Sequence, residues 1–98
     1  MTSLSTHVLD TAAGRPASGV PVRLLSAGQE VATGITDEDG RVGALADVVE
    51  GIYQLVFGTS AYSTFFPEVT ITFVVSDDRH HHVPLLLSPY SYSTYRGS

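Results

Sequence analysis

Apolar residues in this chain never recur at a 3.6-residue spacing over a stretch long enough for a helix. Short runs rich in Val, Ile, Leu, Phe and Thr instead return about every 8–12 positions, separated by turn residues. That rhythm leaves few architectures open, and the simplest is two antiparallel sheets packed face to face. Strands are expected over residues 3–9, 20–25, 30–36, 41–46, 52–57 and 65–75, with two more in the last nineteen residues. Pro21 marks the second run as an edge or entry position. Residues 10–19 read as a loop, 37–40 (Asp-Glu-Asp-Gly) as a tight acidic turn, and 47–51 as a further turn. The expectation is one all-β domain over residues 1–98, a sandwich of seven or eight strands with little or no helix.

A chain of 98 residues can build only a modest core and gains from oligomerisation. Charged residues make up 15% of it against 43% hydrophobic, which fits surface hidden against sister subunits. A net charge of −5 argues against nucleic acid as a partner. The chain has no cysteine, which excludes disulfides, thiolate catalysis and cysteine-ligated zinc, and fits a reducing, cytoplasmic setting. No basic-then-apolar leader and no run of ~18 apolar residues is present, so neither a signal peptide nor a membrane span is expected.

The chemistry-bearing residues concentrate at strand positions. Two-residue alternation puts His80, His82, Pro84 and Leu86 on one face, and His81, Val83, Leu85 and Leu87 on the other. The second face is a core face apart from His81; the first is a poor core and a plausible site wall. The same rule places His7 with Ser3, Ser5 and Leu9, opposite Leu4, Thr6 and Val8. Taken singly, His7 reads as a structural histidine and Arg41 as a solvated turn arginine. Adjacent strand residues diverge, so at most two of His80, His81 and His82 could face one ion, and no metal site is expected.

Residues 82–98, HVPLLLSPYSYSTYRGS, resemble the C-terminal signature of the 5-hydroxyisourate hydrolases, transthyretin-related enzymes of urate breakdown. His7 in S-T-H-V-L-D-T, Arg41 after D-E-D-G and His82 occupy positions matching that family's catalytic residues. The middle of the chain, with G-x-P-x-x-G-V-x-V and T-D-x-D-G-R, also resembles prealbumin-like and carboxypeptidase-regulatory sandwich modules and speaks to fold alone.

The resemblance implies a transthyretin-like sandwich assembled as a homotetramer, with sites in the channel where dimers meet. It implies hydrolytic ring opening of 5-hydroxyisourate, a small-molecule substrate, to a ureidoimidazoline, with no metal or organic cofactor. His7 and His82 would share water activation and proton delivery, and Arg41 would hold the urate-like anion. Tyr95, Arg96, Gly97 and Ser98 would complete the pocket wall. Two features depart from the family pattern: His81 stands where tyrosine is common, and residues 58–64 are shorter than the usual helix-bearing connection. That helix is expected to be missing or reduced to a turn. A small-ligand carrier resembling transthyretin, or a structural sandwich module, would need neither His7, Arg41 and His82 together nor the Y-R-G-S ending.

Overall fold

The computed structural model describes residues 1–97. They form nine β-strands and no helix: β1 (Thr2–Asp10), β2 (Arg15–Pro16), β3 (Pro21–Ser26), β4 (Gln29–Ile35), β5 (Arg41–Val48), β6 (Gly51–Gly58), β7 (Glu68–Val75), β8 (His81–Leu87) and β9 (Tyr92–Thr94). The expected strands are all present, and seven of the nine are six residues or longer. Among the described residues no helix is long and apolar enough to cross a membrane.

Two sheets make a sandwich. One runs β4-β3-β6-β7, antiparallel throughout. The other is centred on β1, which pairs in parallel with β8 along one edge. Its other edge is shared by β5, antiparallel over residues 2–7, and by β2 at Leu9 and Asp10. The inner faces meet through Leu4, Val8, Val83 and Leu85 from one sheet and Val22, Leu24, Leu55, Phe57 and Val69 from the other, all buried. Alternation therefore settles which side of each strand is core. Each such side chain contributes about 1.5–3 kcal/mol relative to staying exposed, and this drives closure of the sandwich.

The differences from expectation lie at element ends. β2 falls inside the stretch read as a loop; its two-residue ladder is too short to carry a periodic signal. β7 begins at Glu68 rather than Phe65, because Pro67 has no N–H to give a ladder and the preceding residues are engaged in a turn. β9 is limited to three residues, since Ser88 N–H and Oγ both bond back to the Ser91 carbonyl and hold residues 88–91 as a turn. The short connection after β6 contains a single helical turn: Tyr62 and Ser63 N–H both donate to the Thr59 carbonyl, at 2.9 Å. Ser63 Oγ then donates to the Pro89 carbonyl at 2.8 Å, tying this turn to the one before β9.

Candidate active site

β1 is the strand that assembles the site, because its two long pairings bring distant segments to one outer face. Antiparallel pairing with β5 sets His7 opposite Arg41. Parallel pairing with β8 sets Ser5 opposite His82 and His7 opposite Pro84. With Leu4, Thr6 and Val8 turned into the core, Ser5 and His7 face outward on the side of His82 in β8 and of His80 just before that strand. His7, Arg41 and His82 thus come together although 75 residues separate the two histidines in sequence.

Arg41 is delivered by the acidic turn. Asp37 Oδ1 accepts the N–H groups of Asp39 (2.9 Å) and Arg41 (3.0 Å), and the Gly40 N–H donates to the Asp37 carbonyl. Gly40 has φ +73°, and a Cβ there would fall 2.4 Å from the Val8 carbonyl oxygen, so the turn requires glycine on two counts. The Val8 N–H, in turn, donates to the Gly40 carbonyl at 2.7 Å and pins the turn to β1. Arg41 itself is exposed, and its guanidinium makes no ion pair among the described residues. It is free to meet an anion.

His7 and His82 each have one ring nitrogen held by the protein. His7 Nε2–H donates to the Asp39 carbonyl at 2.9 Å, which leaves Nδ1 as the free nitrogen. His82 Nδ1 is 2.7 Å from Ser5 Oγ, which leaves Nε2 free. The two ring centres are 6.5 Å apart. Burial first, then the positive charge of Arg41 and the neighbouring His7 and His80, hold the His82 imidazole below its ordinary value near 6.5. His82 is therefore neutral at neutral pH, with Nε2 unpartnered among the described residues. A cavity of about 330 Å³ lies over this face, lined by Ser5, Thr6, Arg41, Gly43, His80 and His82. Its lining offers two imidazoles, a guanidinium and the Ser5 hydroxyl, a set suited to acid–base chemistry on a polar, anionic molecule.

The C-terminal residues divide. Gly97 forms a bridge with His82, its N–H donating to the His82 carbonyl at 2.8 Å. A Cβ at Gly97 would lie 2.6 Å from His82 Cδ2, so glycine lets the backbone pass against the ring. Arg96 turns elsewhere, to His81 Nε2 (3.3 Å) and Asp77 (3.8 Å). Tyr95 is exposed and borders a separate cavity beside Ile71, Phe73 and Val83, at the open side of the sandwich. Ser98 lies outside the described residues. His81, expected on the core face, is buried there, donating from Nδ1 to the Arg79 carbonyl at 2.7 Å. Among the described residues no cluster of three metal-ligating side chains occurs.

The chain from residue 4 to residue 97 matches the model of the HIUase/Transthyretin family. This chain belongs to that family. It is 45% identical over 109 residues to the 5-hydroxyisourate hydrolase of Salmonella dublin, covering 97% of this chain and 80% of that one. Its fold is similar to the solved structure of Klebsiella pneumoniae 5-hydroxyisourate hydrolase, with TM-score 0.89 and 39% identity over 98% of this chain and 99% of the other. It is also similar to sea bream transthyretin, solved in complex with thyroxine, with TM-score 0.86 and 31% identity over 96% and 93% of the two chains. Sequence reasoning gave no role to Ser5 or Asp37. The signal for Ser5 was its place on the His7 face, and the signal for Asp37 was its position at the head of a turn, where aspartate bonds to following N–H groups.

Proposed function

We infer that this protein is a 5-hydroxyisourate hydrolase, opening the ring of its substrate with water. The observation that carries this reading is the convergence of His7, Arg41 and His82 on one outer face of the β1 sheet. Kinship with curated hydrolases over nearly the whole chain supports it.

The chemistry follows from the free nitrogens. Water attacks the ring carbonyl while His82 Nε2 takes its proton, which the lowered pKa of that ring allows at neutral pH. Arg41 binds the anionic heterocycle and stabilises the negative charge that builds on the carbonyl oxygen. As the acyl–nitrogen bond breaks, the proton taken up on His82 Nε2 passes to the departing nitrogen, while the free Nδ1 of His7 accepts a hydrogen bond from the attacking water and aligns it. Gly97 shapes the wall against His82, and Tyr95 and Arg96 join the substrate wall when subunits assemble into a tetramer. No metal or organic cofactor enters this scheme.

The test is to generate 5-hydroxyisourate in situ with urate oxidase and follow its ultraviolet decay. Addition of the protein should accelerate the decay in proportion to its concentration. An unchanged decay would overturn the reading in favour of a carrier.

A further inference from the structure

Ser5 is buried, at 7% exposure, yet its hydroxyl lies between two imidazoles. Its Oγ is 2.7 Å from His82 Nδ1 and 2.7 Å from His80 Nε2. The other nitrogen of His80, Nδ1, is 2.6 Å from Ser3 Oγ. The four groups form an unbroken series from the half-buried His82 ring through Ser5 and the exposed His80 to Ser3. Strand register creates it: parallel pairing sets Ser5 against His82, and alternation returns Ser3 and His80 to the same face.

One hydroxyl has one hydrogen, so Ser5 donates to one ring and accepts from the other. When Ser5 donates to His80 Nε2, it accepts from His82 Nδ1–H, and His82 Nε2 keeps its lone pair toward the cavity. His80 then carries its own proton on Nδ1 and donates it to Ser3. Reversing every bond gives the opposite tautomers without moving a heavy atom.

We propose that Ser5 and His80 are positioning residues that hold His82 as the Nδ1–H tautomer and relay its proton to solvent during hydrolysis. The inference rests on the reading of His82 as base. As His82 Nε2 takes a proton from the attacking water, Nδ1 passes its own to Ser5 Oγ. Ser5 passes its hydroxyl proton to His80 Nε2, and His80 releases the Nδ1 proton past Ser3 to water. One proton enters at Nε2 and one leaves at His80, so His82 never holds a full charge against Arg41. Loss of the Nε2 proton on the cavity side, with a proton returning through His80, restores the first state. Arg41 and His7 face the His82 ring. Arg79 and Arg96 line a cavity of about 390 Å³ on the outer side of His80, and Asp47 borders another beside it. The outer end of the relay therefore opens to solvent.

The experiment compares wild type, Ser5→Ala, Ser5→Thr and His80→Gln, with folding checked by circular dichroism. Ser5→Ala should lower kcat by about 10- to 100-fold with KM little changed, the usual scale for losing a group that orients a functional histidine. Ser5→Thr should restore most of it, and His80→Gln should fall in between. Rates in mixtures of light and heavy water should give a curved proton inventory for wild type and a straight line for Ser5→Ala. Wild-type kcat and curvature in Ser5→Ala, or a Ser5→Thr as poor as Ser5→Ala, would overturn the relay. If Ser5→Ala does not fold, unchanged kcat and curvature in the exposed-site variant His80→Gln would overturn it instead. Nitrogen NMR of the His82 ring separates failure of this idea from failure of the hydrolase reading, because it needs no substrate. It should show Nδ1 protonated in wild type and Nε2 protonated in Ser5→Ala; identical tautomers in the two would overturn the relay whatever the turnover.

Discussion

Arg41 stands exposed without an ion-pair partner among the described residues, so its removal costs the fold little and the reaction a great deal. Arg41→Ala should lower kcat/KM by about 10²–10³-fold, the scale for losing one stabiliser of a developing oxyanion. Arg41→Lys should not restore it, because an ammonium cannot present a planar two-pronged fork. Steady-state turnover of both variants decides this, and near-normal rates in either would remove Arg41 from the mechanism. The same guanidinium shapes the pH response. His82 is held below 6.5 by burial and then by Arg41, so the folded protein binds its proton more weakly than the unfolded chain does. Stability from this group is present above pH ~6.5, the unfolded value, and declines as pH falls toward the lower folded value. Activity follows the same sign: kcat/KM should be flat near neutrality and fall on acidification with an apparent pKa below 6.5. A profile flat down to pH 5, or one falling already above pH 7, would exclude a depressed His82 as the base.

At the level of elements, two-residue alternation was enough to read which residues of β1 and β8 face out. His7, His80 and His82 stand where that period puts them, and His81 is buried as the period requires. What alternation cannot carry is which strands are neighbours. The parallel pairing of β1 with β8 joins residues more than seventy positions apart, and only that pairing makes Ser5 a partner of His82. Short ladders escaped for a related reason: β2 spans two residues, too few for a period to be seen. The turn before β5 was legible from Asp-Glu-Asp-Gly alone, though its anchoring to Val8 was not. Gly40→Ala tests that anchoring. A Cβ 2.4 Å from the Val8 carbonyl, at φ +73°, must move either the turn or β1. The left-handed conformation alone costs ~1–2 kcal/mol for a residue with a side chain. Thermal melts should show a Tm several degrees lower, and kcat should drop at the same time as Arg41 shifts. A variant with wild-type Tm and kcat would mean that the turn does not set the position of Arg41.

The whole molecule leaves much apolar and aromatic surface uncovered for a chain with so few charges. Val74 is 60% exposed on β7, Tyr95 is 58% exposed just beyond β9, and Tyr90 is 76% exposed in the preceding turn. β7 ends one sheet and β9 the other, so each presents a row of backbone groups with no strand beside it in the sandwich. The cavity over Arg41 and His82 also opens directly to solvent, whereas charge stabilisation of the kind assigned to Arg41 is strongest where water is excluded. A second copy packed against these edges would satisfy the backbone groups, and further copies facing the β1 sheet would close the cavity. The expected solution species is a homotetramer, with a mass four times the 10.4 kDa of one chain. Val74→Lys places a charge on the edge strand at a position exposed in the single chain, so it should leave the fold intact while weakening association. Light scattering should show the loss of tetramer, and turnover measured on the same samples should fall with it. Activity that stays complete in a folded monomer would show that a single chain carries the whole site and that assembly serves something other than catalysis.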